Sequence, residues 1–372
     1  MLEKAYEYFA TIPDPRCACD VKHPLKNILM LVLCAVLCGQ EELEDIVEYG
    51  EQKKDFLQEH FQIDAIPSKS TLSRVLALVD AEAVTKHVLC LLQESLGIHG
   101  KTLAVDGKTI RSTENFCSHL LHIITAYLTD SGVTLGQIAT DEKSNEIPAV
   151  RDLLLLLQIE GYIVTADAMH CQKDTAALIH HKGAEYFLQV KNNQKGLFED
   201  IELYVQDEIQ NHPESLSMAQ STETAHGRKE QRTCYATGEI DWLEPKDDWL
   251  CLRQIVAVEN RTEKKGQETV EWHYYITSAD ADANTLLSTA RNHWKIESMH
   301  WALDTTFSED TCRLQSTQAQ KSMNAFRKFA IALHKQFIQS HSERKGYKKK
   351  SVGSHMLKCL FQDDLLVEVI EM

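Results

Sequence analysis

The sequence is short of the features that mark several protein classes. Seven prolines and 15 glycines in 372 residues are too few for a collagen-like or linker-dominated chain. No apolar run approaches the roughly 18–20 residues that a membrane-spanning helix requires. The longest, Ile28 to Cys38, reads as a buried helix closed by Gly39. Met1-Leu2-Glu3-Lys4 lacks the basic and apolar blocks of a signal peptide, so a cytoplasmic protein is expected. Positive charge is in deficit, with 39 Lys and Arg against 55 Asp and Glu, a net charge of −16. That excludes a uniformly basic nucleic-acid coat but leaves room for local basic patches. The 11 cysteines follow no regular framework, as free thiols in a reducing compartment would. Cys17-x-Cys19 with His23 lacks the second pair that a zinc finger needs.

What is present suits a globular protein of two or three domains, with 43% hydrophobic and 25% charged residues. Up to Leu96 the pattern is helical throughout. Pro24 opens a helix through Leu37, Pro67-Ser68 precedes another over Thr71 to Val79, and Val84 to Leu96 ends at Gly97 and Gly100. A small all-α domain over 1–98 is therefore expected. Short apolar runs then alternate with helical ones: Thr102 to Val105, Ile123 to Leu128, Val133 to Ile138, Tyr162 to Ala166 and Glu185 to Val190. This predicts an α/β domain over 99–335, with an antiparallel β insertion over about 230–280 and a long helix from Asn284 to about Phe307. The last stretch, 336–372, reads as a basic tail. From Thr311 to Val352 there are ten Lys and Arg and a single acid, Glu343.

Three carboxylates stand out. Asp106 and Asp167 each close a buried β-like run, and ligands of α/β proteins gather at strand ends. Two aspartates side by side repel unless a cation neutralises them, and all-oxygen ligation suits Mg²⁺ or Mn²⁺. Glu297, on the predicted helix, could be brought to the same place. From spacing alone each aspartate is weak evidence, since an Asp at a strand end is more often a helix cap.

The segments around these residues resemble those of bacterial insertion-sequence DDE transposases, in particular the ISAs-type group that includes the H-repeat-associated proteins. The resemblance rests on Leu103-Ala104-Val105-Asp106-Gly107-Lys108, Val164-Thr165-Ala166-Asp167-Ala168-Met169-His170 and Arg291-Asn292-His293-Trp294-Lys295-Ile296-Glu297. Lys191-Asn192-Asn193-Gln194-Lys195-Gly196, His226-Gly227-Arg228-Lys229-Glu230 and His300-Trp301-Ala302-Leu303-Asp304 extend it, as do Ile12-Pro13-Asp14-Pro15-Arg16 and His23-Pro24-Leu25. It implies an RNase-H-like catalytic fold and Asp106, Asp167 and Glu297 as a triad holding two Mg²⁺ or Mn²⁺ ions. The implied activity is cleavage at the element ends of double-stranded DNA and transfer of the freed 3′-hydroxyl to target DNA. A homo-oligomer on DNA, nucleoid association and no membrane partner are further implications. A nuclease that cuts without joining, or a domesticated DNA-binding protein, is the alternative.

The chain departs from the broader signature, which has Arg four residues before the Glu and Lys seven after it. His293 and Asp304 stand there, so those phosphate contacts do not carry over. Asp304 is then either a supporting acid or the true third ligand. Expected DNA contacts are Lys108, Lys191, Arg228 and Arg232 around the triad, Lys69 and Arg74 in the N-terminal domain, and Lys348 and Lys349 in the tail. Ser70, Ser73 and Arg74 could form the exposed face of a helix-turn-helix reader. Trp294 and Trp301, seven apart, read as core anchors before base-stacking platforms. His170 could contact phosphate or merely start a helix.

Overall fold

A computed structural model describes residues 2–372 apart from Ala18, Asp20, Ser118, 141–144, His226, Gly227, Lys265, Lys345, Lys348 and Lys349. Lys348 and Lys349 of the expected DNA contacts, and the His226-Gly227 landmark, therefore lie outside the described residues.

Six helices come first: α1 (Leu2–Ala10), α2 (Leu25–Leu37), α3 (Leu43–Gln52), α4 (Lys54–Phe61), α5 (Lys69–Leu78) and α6 (Ala81–Leu96). Capping explains the last two starts, since Ser68 accepts from Thr71 N–H and Asp80 from Glu82 and Ala83 N–H. Helix α2 is apolar all round and buried from Ile28 to Leu37. Such a helix must be covered on every side.

A nine-stranded sheet follows, ordered β3-β2-β1-β4-β5-β9-β8-β7-β6. Its first part comprises β1 (Thr102–Ile110), β2 (Leu121–Leu128), β3 (Val133–Thr140), β4 (Ile163–Ala166) and β5 (Glu185–Val190). The pairs β1–β2 and β2–β3 are antiparallel, whereas β1–β4 and β4–β5 are parallel. Helices α7 (Ser112–Phe116), α8 (Glu146–Leu156), α9 (Lys173–His181) and α10 (Lys195–Asn211) lie among these strands. The insertion is β6 (Ser217–Ala225), β7 (Arg228–Thr237), β8 (Gln254–Lys264) and β9 (Gln267–Thr277). It begins about a dozen residues before the expected 230, because β6 is polar and lacks an apolar alternation. Strand β9 pairs with β5, Phe187 opposite Thr277, so the insertion widens the same sheet.

Both faces of the sheet are covered, each by its own core. On one face Leu103, Val105, Ile124 and Val164 pack with α8, α9 and α10. On the other, Ala104, Tyr127 and Val133 join a core that contains α1 to α6, α11 (Ala283–Thr306) and α12 (Thr317–Ser340). The last two helices, α13 (Val352–Phe361) and α14 (Asp363–Ile370), bury Met356, Cys359, Leu366, Val369 and Ile370 in that same core. Two expectations change as a result. The segment 336–372 is not a tail, and the first 98 residues do not keep a core to themselves. The apolar surface of α2 is closed by helices from the far end of the chain.

The basic stretch after Thr311 also differs from a solvated patch, for Arg327 is 0% and Lys328 3% exposed. Lys328 Nζ donates to Thr125 Oγ1 and Gln137 Oε1, both at 2.7 Å, and burial pushes its pKa from 10.5 down to about 7. A base whose pKa is lower in the folded chain stabilises the fold above its ordinary pKa and loses that contribution as pH falls. Lys328→Met should therefore be most stabilising, relative to the parent, below pH 7, with the difference shrinking towards pH 10. Urea midpoints of both chains across that range are the check, and a pH-independent difference would refute it.

Candidate active site

The period-two geometry of strands sorts β1 into two sets of side chains. Ala104, Asp106 and Lys108 face α11, while Gly107 and Thr109 face α8. The parallel register pairs Val105 with Ala166, which places Asp106 beside Asp167 at the next position of the two neighbouring strands. Asp167 does end its strand, whereas Asp106 does not. Strand β1 runs on for four residues to Ile110, still paired with β2, and so Asp106 sits within it. Gly107 N–H donates to Asp106 Oδ1 at 2.8 Å and fixes the carboxylate. Any side chain at 107 would strike His122 and Glu146, since a Cβ would come within 2.3 Å of His122 Nε2.

Helix α11 crosses the sheet from the insertion to β1, capped at its start by Asp282, which accepts from Thr285 N–H at 2.7 Å. Residues 293, 297, 300 and 304 recur at helical spacing and share the face turned to the strands. His293 Nε2 is 3.3 Å from Asp167 Oδ1, and its Nδ1 is 2.9 Å from Thr165 Oγ1. His300 Nδ1 is 3.3 Å from Asp106 Oδ2. Glu297 lies between the two histidines along the helix. The hydrogen bond with His293 holds the Asp167 pKa below the usual carboxylate range, against desolvation, with help from Lys191 and His170. Burial raises that of Glu297, and the charges of Asp106 and Asp167 raise it further. All three carboxylates thus share one electrostatic neighbourhood.

Lys191, just past β5, is exposed and lines a small recess with Asp167, His293, Trp294 and Glu297. Beside it runs a groove of about 550 Å³ bordered by Arg228, Arg232, Arg261, Arg291, Lys295 and Trp294. Its arginines are held by acids: Arg228 pairs with Glu230, Arg232 with Glu223 and Glu230, and Arg291 with Glu223.

Lys108 is placed differently from a free phosphate contact. Its ammonium is 2.7 Å from Asp304, 3.2 Å from Glu309 and 3.3 Å from Asp310. Burial disfavours its charge, but Glu309, Asp304 and Asp310 outweigh burial and raise its pKa. Asp304 is accordingly turned to Lys108. Lys69 is paired with Glu44 and borders a recess with Glu42 and Asp45, whereas Arg74 lies in a separate groove with Arg16, Lys22 and His23. His170 is fully buried, its Nε2 3.1 Å from Glu146 Oε1. Trp294 and Trp301 are 48% and 68% exposed, so they are not core anchors. The buried positions in this part of α11 belong to Ile296, Met299, Ala302 and Leu303, which leaves the tryptophans on the exposed side.

His300 enters the sequence reading only as part of a resembling segment, with no site role, although its place three residues after Glu297 is a readable signal. The acid Glu146, which holds both His122 at 3.0 Å and His170 at 3.1 Å, gave none, being separated from them in the chain.

Among the described residues no helix is long and apolar enough to cross a membrane. Two family models match the chain: one described as "DDE_Tnp_1-associated" over residues 6–92, and one described as "Transposase DDE domain" over residues 99–333. The chain is 32% identical over 380 residues to "Putative transposase YncI" of Escherichia coli O157:H7, covering 100% of this chain and 96% of that one. It is 36% identical over 345 residues to "H repeat-associated putative transposase YhhI" of Escherichia coli K12, covering 89% and 90%. Over 77 residues, 20% of this chain, it is 40% identical to "Inactive transposase YbfQ" of the same strain. With a family match across most of its length and relatives spanned almost end to end, the chain belongs to the DDE transposase family of the H-repeat-associated type.

Proposed function

We propose that the protein binds the ends of an insertion sequence, cuts the DNA strand there and joins the freed 3′-hydroxyl to target DNA. The observation that carries this reading is the pairing of Asp106 and Asp167 on adjacent parallel strands beneath Glu297 of α11. The order β3-β2-β1-β4-β5, three antiparallel strands and then two parallel ones, supports an RNase-H-like fold. Asp106, Asp167 and Glu297 suit divalent cations, because burial and the charges of the two aspartates disfavour ionisation of Glu297, and a nearby positive charge would relieve both. Bound Mg²⁺ or Mn²⁺ would supply activation of a water or a 3′-hydroxyl and stabilisation of the leaving oxygen.

The chain's own residues divide the remaining work. His293 and His300 orient the two aspartates towards α11. Lys191 is the exposed cation beside the triad and is suited to a phosphate flanking the scissile bond. The groove along Arg228, Arg232, Arg291 and Lys295 offers a track for the DNA backbone, its arginines exchanging glutamate for phosphate. Lys108 steadies Asp304 and so the end of α11.

The test uses a duplex carrying the element's own terminal repeat with a preformed 3′-hydroxyl, incubated with supercoiled plasmid and Mn²⁺. Joined products are expected. Nicking of the plasmid with no joining would point to a nuclease, and binding with neither would point to a DNA-binding protein.

A further inference from the structure

Within the helical layer, we propose that His334, His355 and Cys359 hold a zinc ion that pins α13 to α12 and α2. His355 and Cys359 are four apart and share one face of α13, a spacing common in the helical half of structural zinc sites. His334 comes from α12, and all three residues are fully buried. Their ligand atoms all lie within 4.8 Å of one another.

The backbone hydrogen bond of His334 already has the form that a metal requires. His334 Nε2 donates to Leu37 O at 2.9 Å, so its Nδ1 carries a lone pair, which accepts from His355 Nδ1 at 2.8 Å; a metal would take the place of that proton. A backbone carbonyl fixing the second nitrogen is the usual support of a metal-bound histidine. His355 Nε2 is buried with no partner, which leaves the pair short of one favourable interaction. Burial pushes the pKa of His334 down to about 3 and that of His355 to about 4, so both rings are neutral ligands at any working pH. Two nitrogens on a tetrahedral zinc stand about 3.3 Å apart, so the pair has to open by roughly half an ångström.

Cys38 is the candidate for the fourth position. It ends α2 beside the carbonyl that holds His334; burial raises the pKa of its thiol, and the nearby Cys359 raises it further. Two thiolates and two neutral imidazoles would give zinc a site of zero net charge, which suits this buried place. Burial raises the pKa of the Cys359 thiol, and the nearby Lys350 works against burial, favouring the thiolate.

The test is the zinc content of the full chain, purified without a metal-binding tag and passed over a chelating resin. About one zinc per chain is expected. It should persist in the Asp106→Asn/Asp167→Asn/Glu297→Gln triple variant, which separates this site from the carboxylates. It should also persist in Cys234→Ser, a buried cysteine of β7, but fall at least tenfold in Cys359→Ser and His334→Gln. Because those two variants could misfold, cobalt substitution of the parent provides a second readout. A thiolate-to-cobalt absorption band is expected. No zinc and no such band after refolding with excess metal would overturn the site, as would unchanged zinc in both ligand variants.

Discussion

Replacing Asp106, Asp167 or Glu297 with Ala should each reduce cleavage of element-end DNA by at least about a thousandfold, a loss of roughly 4 kcal/mol in transition-state stabilisation. DNA binding should change by less than about threefold, because affinity rests on phosphate contacts outside the triad. His293→Gln and His300→Gln should fall between, at roughly 10- to 100-fold, the size of effect seen when a group that orients a ligand is lost. Asp304→Ala is the discriminating variant. Its carboxylate is 2.7 Å from Lys108, and its loss should weaken the end of α11 without silencing the site. A silent Asp304→Ala alongside an active Glu297→Ala would reassign the third carboxylate. Single-turnover cleavage assays with matched binding measurements separate these outcomes.

The legibility of this site in the sequence was uneven, and the reasons are physical. Asp167 could be read because Ile163–Ala166 is a short buried strand whose apolar run stops at that residue. Asp106 was misplaced because β1 continues through Gly107, Lys108 and Thr109, small or polar residues that each have a partner above or below the sheet. A strand whose inward positions contact ionic groups loses its apolar alternation, which is the signal a sequence offers. The tryptophans of α11 lie exposed because Ile296, Met299, Ala302 and Leu303 already fill its buried face. The insertion was recognisable from β7 onwards, but β6 is too polar to announce itself.

Domain organisation was the least legible feature. An all-apolar α2 carried a warning, since three or four short amphipathic neighbours cannot cover such a helix on every side. What covers it, α12 to α14, lies some 300 residues away and was masked by the basic run before Val352. Composition spoke for a tail there, while the pattern inside α13 and α14, with His355, Met356 and Cys359 on one face, spoke for a packed hairpin.

Arg327→Met should destabilise the fold by about 3–5 kcal/mol, the cost of leaving a buried charge unpaired. Arg327 is fully buried, with Nε donating to Glu41 Oε2 at 2.7 Å and Nη1 to Glu309 Oε1 at 3.3 Å. Glu309 is itself 0% exposed, accepts from Asn324 Nδ2 at 2.9 Å, and lies 3.2 Å from Lys108. The chain of charges thus runs from the N-terminal helices through α12 to the strand that bears Asp106. Desolvation works against the charge of Glu309, but Arg327 and Lys108 reverse it and lower its pKa. Glu41 is less well compensated, and burial lifts its pKa to about 7. Without the guanidinium both acids should have pKa values above their unfolded ones, and the fold then binds more protons than the unfolded chain. Stability of the variant must therefore fall as pH rises, while the Glu309 contribution in the parent rises with pH. The deficit should be larger at pH 8 than at pH 5. Adding Glu41→Gln and Glu309→Gln should recover at least half of it, because the cost is that of the orphaned charges and not of the lost packing. Urea denaturation at the two pH values measures all of this. A deficit below about 1 kcal/mol, or a triple variant no more stable than Arg327→Met, would mean that water reaches the network and that the helical layer is joined to β1 by packing alone.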